Sequence, residues 1–111
     1  MKTQNNDIIR EELIAIAKLL ECEFPVSYDK KSPFFILDQA AIKEMQESNL
    51  VDFGAHTHNH TILSCIDDTL AEKEITTSIR QVEELTNFPC ILFAYPNGRK
   101  DDFTDEHKRI L

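Results

Sequence analysis

Apolar residues in the first half of the chain follow the spacing of amphipathic helices. In residues 8–20 apolar side chains recur every three or four positions with charged side chains between them, which predicts a helix with one buried face. Asp38 is suited to cap a second helix, which we expect to end near residues 48–49, where an asparagine favours the left-handed conformation. Two prolines and several polar residues within 25–33 predict a loop between the two helices.

Two apolar runs of strand length lie in the second half of the chain, at residues 50–54 and 90–94. The second run is continuous, which is typical of a strand covered on both faces. Between the two runs, Thr69 and Glu72 have the spacing of a capping box. The apolar stripe that follows predicts a third helix, which residues 87–89 end.

The order of the predicted elements favours an α/β fold. Strand, helix and strand are followed by a further helix starting near residues 104–106, an order typical of parallel strands with covering helices. Loops that follow parallel strands emerge at the same edge of the sheet. We therefore expect residues 55–60 to lie close to the loop of residues 95–100.

Length and charge limit the classes of protein that fit this chain. Its 111 residues are enough for one domain, and 41% hydrophobic with 29% charged residues is ordinary for a globular protein. The net charge of −8 argues against nucleic-acid binding, since a phosphate backbone is repelled by an acidic protein. The apolar runs are too short to span a membrane, and the polar start lacks the features of a secretory signal. The sequence thus predicts no membrane span and leaves the cell compartment open.

The cysteines and the last histidine are assigned structural roles. Cys22, Cys65 and Cys90 are odd in number and lack the spacing of a zinc ribbon or redox pair, so we expect reduced, mostly buried thiols. His107 stands in a run of charged residues, which predicts a solvated surface position.

Three of the four histidines fall within five residues, after a predicted strand and before a helix. Imidazole is a common ligand for zinc, and two imidazoles four residues apart, as in His56 and His60, can converge on one ion. His58 would point elsewhere. The segment contains no glutamate, which excludes the His-Glu-x-x-His pattern of metalloproteases. The alternative is that these rings only cap or hydrogen-bond within a loop.

Two motifs resemble those of a known family. Residues 53–64 contain the pattern His-Thr-x-x-His, residues 72–85 form the helix that follows, and residues 93–98 have the sequence Phe-Ala-Tyr-Pro-Asn-Gly. In this order and at this separation they resemble the second and third motifs of the polysaccharide deacetylase family, also called carbohydrate esterase family 4 or NodB-homology domains. The resemblance covers roughly residues 33–110.

The resemblance implies a fold and a division of the chain. The fold would be a fragment of a distorted (β/α) barrel, with parallel strands and covering helices. Residues 1–32 would form an N-terminal helix and loop, and residues 33–111 a partial deacetylase domain.

The resemblance also implies roles for five residues. His56 and His60 would be ligands of a divalent metal, zinc being the best candidate, that polarises an N-acetyl carbonyl and activates water. Tyr95 and Pro96 would lie against an N-acetylated carbohydrate substrate, and the backbone N–H of Asn97 would donate to the oxyanion. The reaction would be hydrolysis of an amide carbon–nitrogen bond.

The chain departs from the family pattern in three places. Family members usually begin with a strand ending in an Asp-Asp motif that supplies the catalytic base and a metal ligand. The aspartate pairs at residues 67–68 and 101–102 follow the histidines instead, and we expect them to be solvated or capping residues. Ala94 stands where the family often has arginine, and the late Leu-x-x-His motif is absent from the sequence. We therefore expect an incomplete deacetylase domain from a truncated or partial chain.

Three functions are compatible with the sequence. The first is a polysaccharide N-deacetylase in incomplete form. The second is a catalytically inactive remnant that binds metal or carbohydrate, because catalytic zinc generally has three protein ligands and only two are apparent. Micromolar or tighter zinc binding would indicate a third ligand within the chain, for example Cys65 or an aspartate. The last is a small α/β interaction domain with incidental histidines.

Overall fold

The computed structural model describes residues 6–22, 31–32 and 35–111. The chain divides into two compact units, with the boundary between Leu37 and Asp38. The loop predicted over residues 25–33 lies almost entirely outside the described residues. All five residues of the candidate site belong to the second unit.

The first unit contains helix α1, Asn6–Leu19, which confirms the helix predicted over residues 8–20. Lys18 lies in its last turn, where a positive charge complements the negative end of the helix dipole. Glu21 takes the left-handed conformation, with φ 51°, and ends the helical path.

Helix α2, Gln39–Glu47, opens the second unit. Oδ1 of Asp38 accepts a hydrogen bond of 2.9 Å from the backbone N–H of Ala41, which confirms Asp38 as the N-cap. The helix ends at Glu47 with Ser48 as its C-cap, and Asn49 follows in the left-handed conformation with φ 57°. Both ends lie where the local sequence predicts them.

Helix α3, Asp68–Thr86, is the longest of the described helices. It begins after Asp67, whose Oδ1 accepts a hydrogen bond of 2.9 Å from the backbone N–H of Leu70. The predicted capping box of Thr69 and Glu72 is therefore wrong, because Asp67 already satisfies a free amide of the first turn from a position two residues earlier.

The later helix boundaries follow local signals. Asn87 takes the left-handed conformation and its N–H donates to the carbonyl of Glu83, so α3 ends where the sequence predicts. Helix α4, Asp105–Ile110, begins after Thr104, whose hydroxyl accepts from the N–H of His107. Among the described residues, no helix is both long enough and apolar enough to cross a membrane.

The core of the second unit is small. Leu63, in a short 3-10 helix over Leu63–Cys65, and Ala71 and Ile75 of α3 are fully buried. Helix α3 packs against both α2 and α4, so it is the central element of this unit. The partly buried apolar residues that pack around the core are Ile66, Ile79, Phe93, Tyr95 and Ile110.

Two predictions about burial are wrong. His107 is 1% exposed, because its ring forms a reciprocal cap with Thr104 and lies against α3, with Nε2 3.7 Å from Oδ1 of Asp68. The three cysteines are free, as predicted, but Cys22 and Cys65 are exposed, since each stands at the end of a helical segment rather than within an apolar face.

The predicted α/β fold, a fragment of a distorted (β/α) barrel with parallel strands and covering helices, is also wrong. The described residues are mainly helical and contain no sheet. The two segments predicted as strands, residues 50–54 and 90–94, meet only at an isolated parallel bridge between Ala55 and Phe93.

The exposure of these segments gives the physical reason. A strand of a parallel sheet is stabilised by hydrogen-bonded neighbours on both sides and by helices that cover both faces. Here apolar side chains of both segments face solvent, since Leu50 is 87% exposed and Ile91 is 88% exposed. The described residues supply neither a further strand nor the covering layer that the apolar pattern predicts.

Candidate metal centre

The histidine segment and the loop of residues 95–98 begin side by side. The backbone N–H of Ala55 donates to the carbonyl of Leu92 at 2.8 Å, and the N–H of Ala94 donates to the carbonyl of Ala55 at 2.9 Å. One residue further on, Nδ1 of His56 lies 2.8 Å from the carbonyl oxygen of Ala94. The predicted proximity of the two loops is confirmed, although a single bridge rather than a sheet produces it.

The imidazole rings of His56 and His60 lie together, with centroids 4.7 Å apart and planes at 70°. A carbonyl oxygen only accepts, so Nδ1 of His56 donates to Ala94 and Nε2 of the neutral ring keeps its lone pair. Metal-binding histidines are oriented in this way, by a hydrogen bond from the nitrogen that does not bind the ion. Two imidazoles on a tetrahedral zinc ion have centroids roughly 5 Å apart, given Zn–N bonds of about 2.0–2.1 Å. The distance between the two rings is therefore compatible with two ligands of one zinc ion, and both side chains are exposed.

A third protein ligand is not found in the part of the chain that the structure describes, where no group of three or more His, Cys, Asp or Glu side chains could hold a metal. Two of the aspartates have structural roles. Asp67 caps α3, which confirms its predicted capping position, and the buried carboxyl of Asp102 accepts from the N–H of Arg99 at 2.9 Å.

His58 faces away from the other two histidines, as its position in the motif predicts. Its Nδ1 lies 2.9 Å from Oε1 of Gln81 on α3. Because an amide oxygen only accepts, this ring nitrogen carries the proton. His58 thus connects the histidine segment to α3 rather than joining the pair.

The backbone of the histidine segment is held in an uncommon conformation. Thr57 has φ 63° and His60 has φ 57°, both in the left-handed region that L-residues with bulky side chains avoid. Thr57 is also buried, and its hydroxyl makes no hydrogen bond within the described residues. Such residues cost about 1–3 kcal/mol each and persist only where the surroundings hold them.

Glu74 on α3 is hydrogen-bonded to this segment, and sequence reasoning missed it. The side chain is 5% exposed, and its two carboxyl oxygens accept from the backbone N–H and the side-chain amide of Asn59, at 2.8 and 2.7 Å. The backbone carbonyl of Glu74 accepts from the N–H of His58 at 3.1 Å. A sequence signal existed, because Glu74 lies three residues after Ala71 and next to Ile75, on the buried face of α3.

Tyr95 and Pro96 are anchored in the protein. The ring of Tyr95 stacks on Phe103 with centroids 4.0 Å apart and meets Phe93 edge-on at 5.1 Å, while Pro96 is fully buried. The Tyr95 hydroxyl is buried without a hydrogen-bond partner among the described residues. Burial raises the pKa of the Tyr95 phenol above its ordinary value, and the nearby Lys108 offsets part of that rise. Contact of either residue with a substrate stays a prediction.

Asn97 forms the tip of the second loop. It has φ 61° and is followed by Gly98 with φ 66°, so two successive residues are left-handed. The backbone N–H of Asn97 donates to no residue in the described ranges, whereas the N–H of Arg99 is bonded to Asp102. An unused N–H on an exposed turn is available to an acceptor from outside the protein.

Comparison with known proteins gives one match. The family model described as polysaccharide deacetylase matches residues 16–110, and no match was found among curated proteins or solved structures. Members of this family are hydrolases that act on N-acetylated carbohydrates and generally depend on a metal. Because the match spans most of the 111 residues, the chain belongs to the polysaccharide deacetylase family.

Proposed function

We propose that this chain acts in the metal-dependent removal of N-acetyl groups from a carbohydrate polymer, by hydrolysis of the amide carbon–nitrogen bond. The observation that carries the proposal is the convergence of the His56 and His60 rings, with His56 oriented by the carbonyl of Ala94. The boundary predicted between residues 32 and 33, where the deacetylase domain would begin, stays a prediction.

His56 and His60 are the proposed metal ligands, and zinc is the proposed metal because it readily accepts neutral imidazole. Zinc bound there would polarise the N-acetyl carbonyl and lower the pKa of a bound water. Nε2 of His56 is the proposed donor atom, since Nδ1 is engaged by Ala94. The proposal also requires a third ligand and a general base, and neither role is assigned to a described residue.

The loop of residues 95–98 is the proposed substrate side of the centre. Pro96 and the stacked ring of Tyr95 hold its base rigidly against the core. A donor that is fixed before the reaction stabilises a developing oxyanion without reorganisation. We therefore assign that role to the N–H of Asn97, with Tyr95 and Pro96 as its supports and as contacts of the sugar.

The first test is zinc binding and acetate release by the same preparations. We expect calorimetry to show that the chain binds zinc. Losing an outer-shell partner typically weakens metal binding roughly 10–100-fold, and His56→Ala and His60→Ala, which each remove a proposed ligand, should weaken it at least as much. Acetate release from N-acetylglucosamine oligomers would fall in the same two variants. His58→Ala is the comparison variant: its ring contacts Gln81 rather than the histidine pair, so its loss should weaken zinc binding clearly less than the loss of either proposed ligand.

The outcomes separate the two candidate functions. Zinc binding with acetate release supports the hydrolase. Zinc binding without acetate release favours the catalytically inactive remnant, which the lack of a third ligand among the described residues motivates. If the chain binds no zinc, or if His58→Ala weakens binding as much as His56→Ala, the proposed metal site is wrong.

A further inference from the structure

We infer that Glu74 is a positioning residue for the histidine pair, acting through Asn59. Its carboxyl group holds Asn59 so that the segment between His56 and His60 keeps the conformation that brings the two rings together. The link to metal binding rests on the proposed function, whereas the restraint of the segment does not.

The geometry of the contact fixes both the place and the orientation of Asn59. Each carboxyl oxygen of Glu74 has its own donor on that residue, one from the backbone at 2.8 Å and one from the side chain at 2.7 Å. Paired hydrogen bonds of this kind define a direction as well as a distance. Because Asn59 directly precedes His60, its orientation sets the direction in which the chain enters His60.

Two further contacts of the segment lead to α3. The N–H of His58 is bonded to the backbone carbonyl of Glu74, and the ring of His58 to Gln81. Helix α3 carries the fully buried Ala71 and Ile75 and packs on both neighbouring helices, so it is a rigid support. The left-handed Thr57 and His60 need such a support, since an unrestrained chain would leave that region of backbone conformation.

The burial of Glu74 argues for a specific role. A carboxyl group that is 5% exposed is costly unless its oxygens are hydrogen-bonded. The carboxyl group is explained by the two donors of Asn59 that it satisfies.

A double-mutant cycle tests the inference. Asn59→Asp places two carboxyl groups at hydrogen-bond distance, which must repel or share a proton. Glu74→Gln alone keeps one acceptor and exchanges the other for a donor. In the combined variant the new amide of residue 74 can donate to the new carboxyl of residue 59, which restores two hydrogen bonds with one direction reversed. Glu72→Gln, on the exposed side of α3, is the matched control.

Two measurements are made on the full chain. Hydrogen exchange of the backbone amides of His58 and Asn59 reports the restraint directly, and zinc titration reports its effect on the histidine pair. For Asn59→Asp we expect exchange at least about tenfold faster and zinc affinity 10–100-fold weaker, as for other outer-shell losses. The combined variant should recover most of both losses, and Glu72→Gln should match the unmodified chain.

Several results would overturn the inference. In one, both single variants keep amide exchange rates and zinc affinity within twofold of the unmodified chain. In another, the combined variant exchanges as fast and binds zinc as weakly as Asn59→Asp. Far-UV circular dichroism checks that the helices remain, and Asn59→Ala, which removes one donor without adding charge, replaces Asn59→Asp if the latter fails to fold. If the unmodified chain binds no zinc, the proposed function fails, and the exchange data alone decide the role of Glu74.

Discussion

At the scale of single residues, the environment of Tyr95 leads to a pH prediction. Burial raises the pKa of its phenol, so the folded state holds the proton more tightly than the unfolded state, whose tyrosine titrates at about 10. Below that pH both states are protonated and the free energy of unfolding is unaffected. Above it the unfolded state loses its proton first, and the free energy of unfolding falls as pH rises.

Ultraviolet absorbance during alkaline titration measures this effect. The chain has two tyrosines, and Tyr95→Phe should remove a titration that lies above the ordinary tyrosine pKa. The variant keeps the ring contacts with Phe93 and Phe103 and loses a hydroxyl that has no partner in the described residues, so its stability at neutral pH should be unchanged or higher by up to about 1 kcal/mol. The prediction would be contradicted if the titration lost in Tyr95→Phe lay at the ordinary tyrosine pKa.

His107 gives a second prediction at this scale. Its ring is buried, caps α4 by accepting from the N–H of Thr104 at 3.1 Å, and fills space against α3. His107→Ala loses both the cap and the packing, so the free energy of unfolding should fall by about 2–4 kcal/mol in urea titrations. Arg109→Ala, in the same helix but exposed, should have a much smaller effect. Equal losses in the two variants would mean that the burial of His107 does not stabilise the fold.

At the scale of elements, the contact between the two extended segments depends on Gly54. A Cβ at this position would lie 2.8 Å from Cβ and 2.9 Å from the carbonyl oxygen of Leu92, and that oxygen accepts from the N–H of Ala55. Gly54→Ala should therefore separate the segments, lowering the free energy of unfolding by about 1–3 kcal/mol. The amides of Ala55 and Ala94 should also exchange faster.

Gly98→Ala is the comparison for this prediction. There a Cβ would lie 3.5 Å from the nearest atom, the carbonyl oxygen of Tyr95, but φ is +66°. This variant should lose about 1–2 kcal/mol from its left-handed backbone while leaving the exchange of Ala55 and Ala94 unchanged. Unchanged exchange at Ala55 in Gly54→Ala would show that the close approach is not needed for the bridge.

At the scale of the whole molecule, stability of the second unit rests on a small core. Ile75 is fully buried in one cluster with Leu63 and Ala71, so Ile75→Ala should cost about 2–5 kcal/mol, a large share of the 5–15 kcal/mol typical of a domain. Leu85→Ala, on the same helix but half exposed, should cost far less. Urea titration followed by circular dichroism measures both variants, and similar midpoints would contradict this description of the core.

Sequence alone determined the features that depend on neighbouring residues. Asp38 caps α2, Asn49 and Asn87 end helices, and α4 starts near the predicted position, because the groups that define these ends lie within four residues along the chain. The order of the motifs also identified the family, and the placement of the two loops side by side was predicted correctly. The roles of His56, His60, Tyr95, Pro96 and Asn97 stay predictions.

Only the tertiary structure decided the features that depend on distant partners. An apolar run such as residues 90–94 has strand character in sequence, but a sheet needs further strands and a covering layer, and the described residues provide one bridge. The bond from Asn59 to Glu74 joins residues 15 positions apart in sequence, and His107 is buried against a residue of a different helix, Asp68. Contacts of this kind leave little trace in local periodicity, because the pattern of a helix shows which face is buried but not which group it meets there.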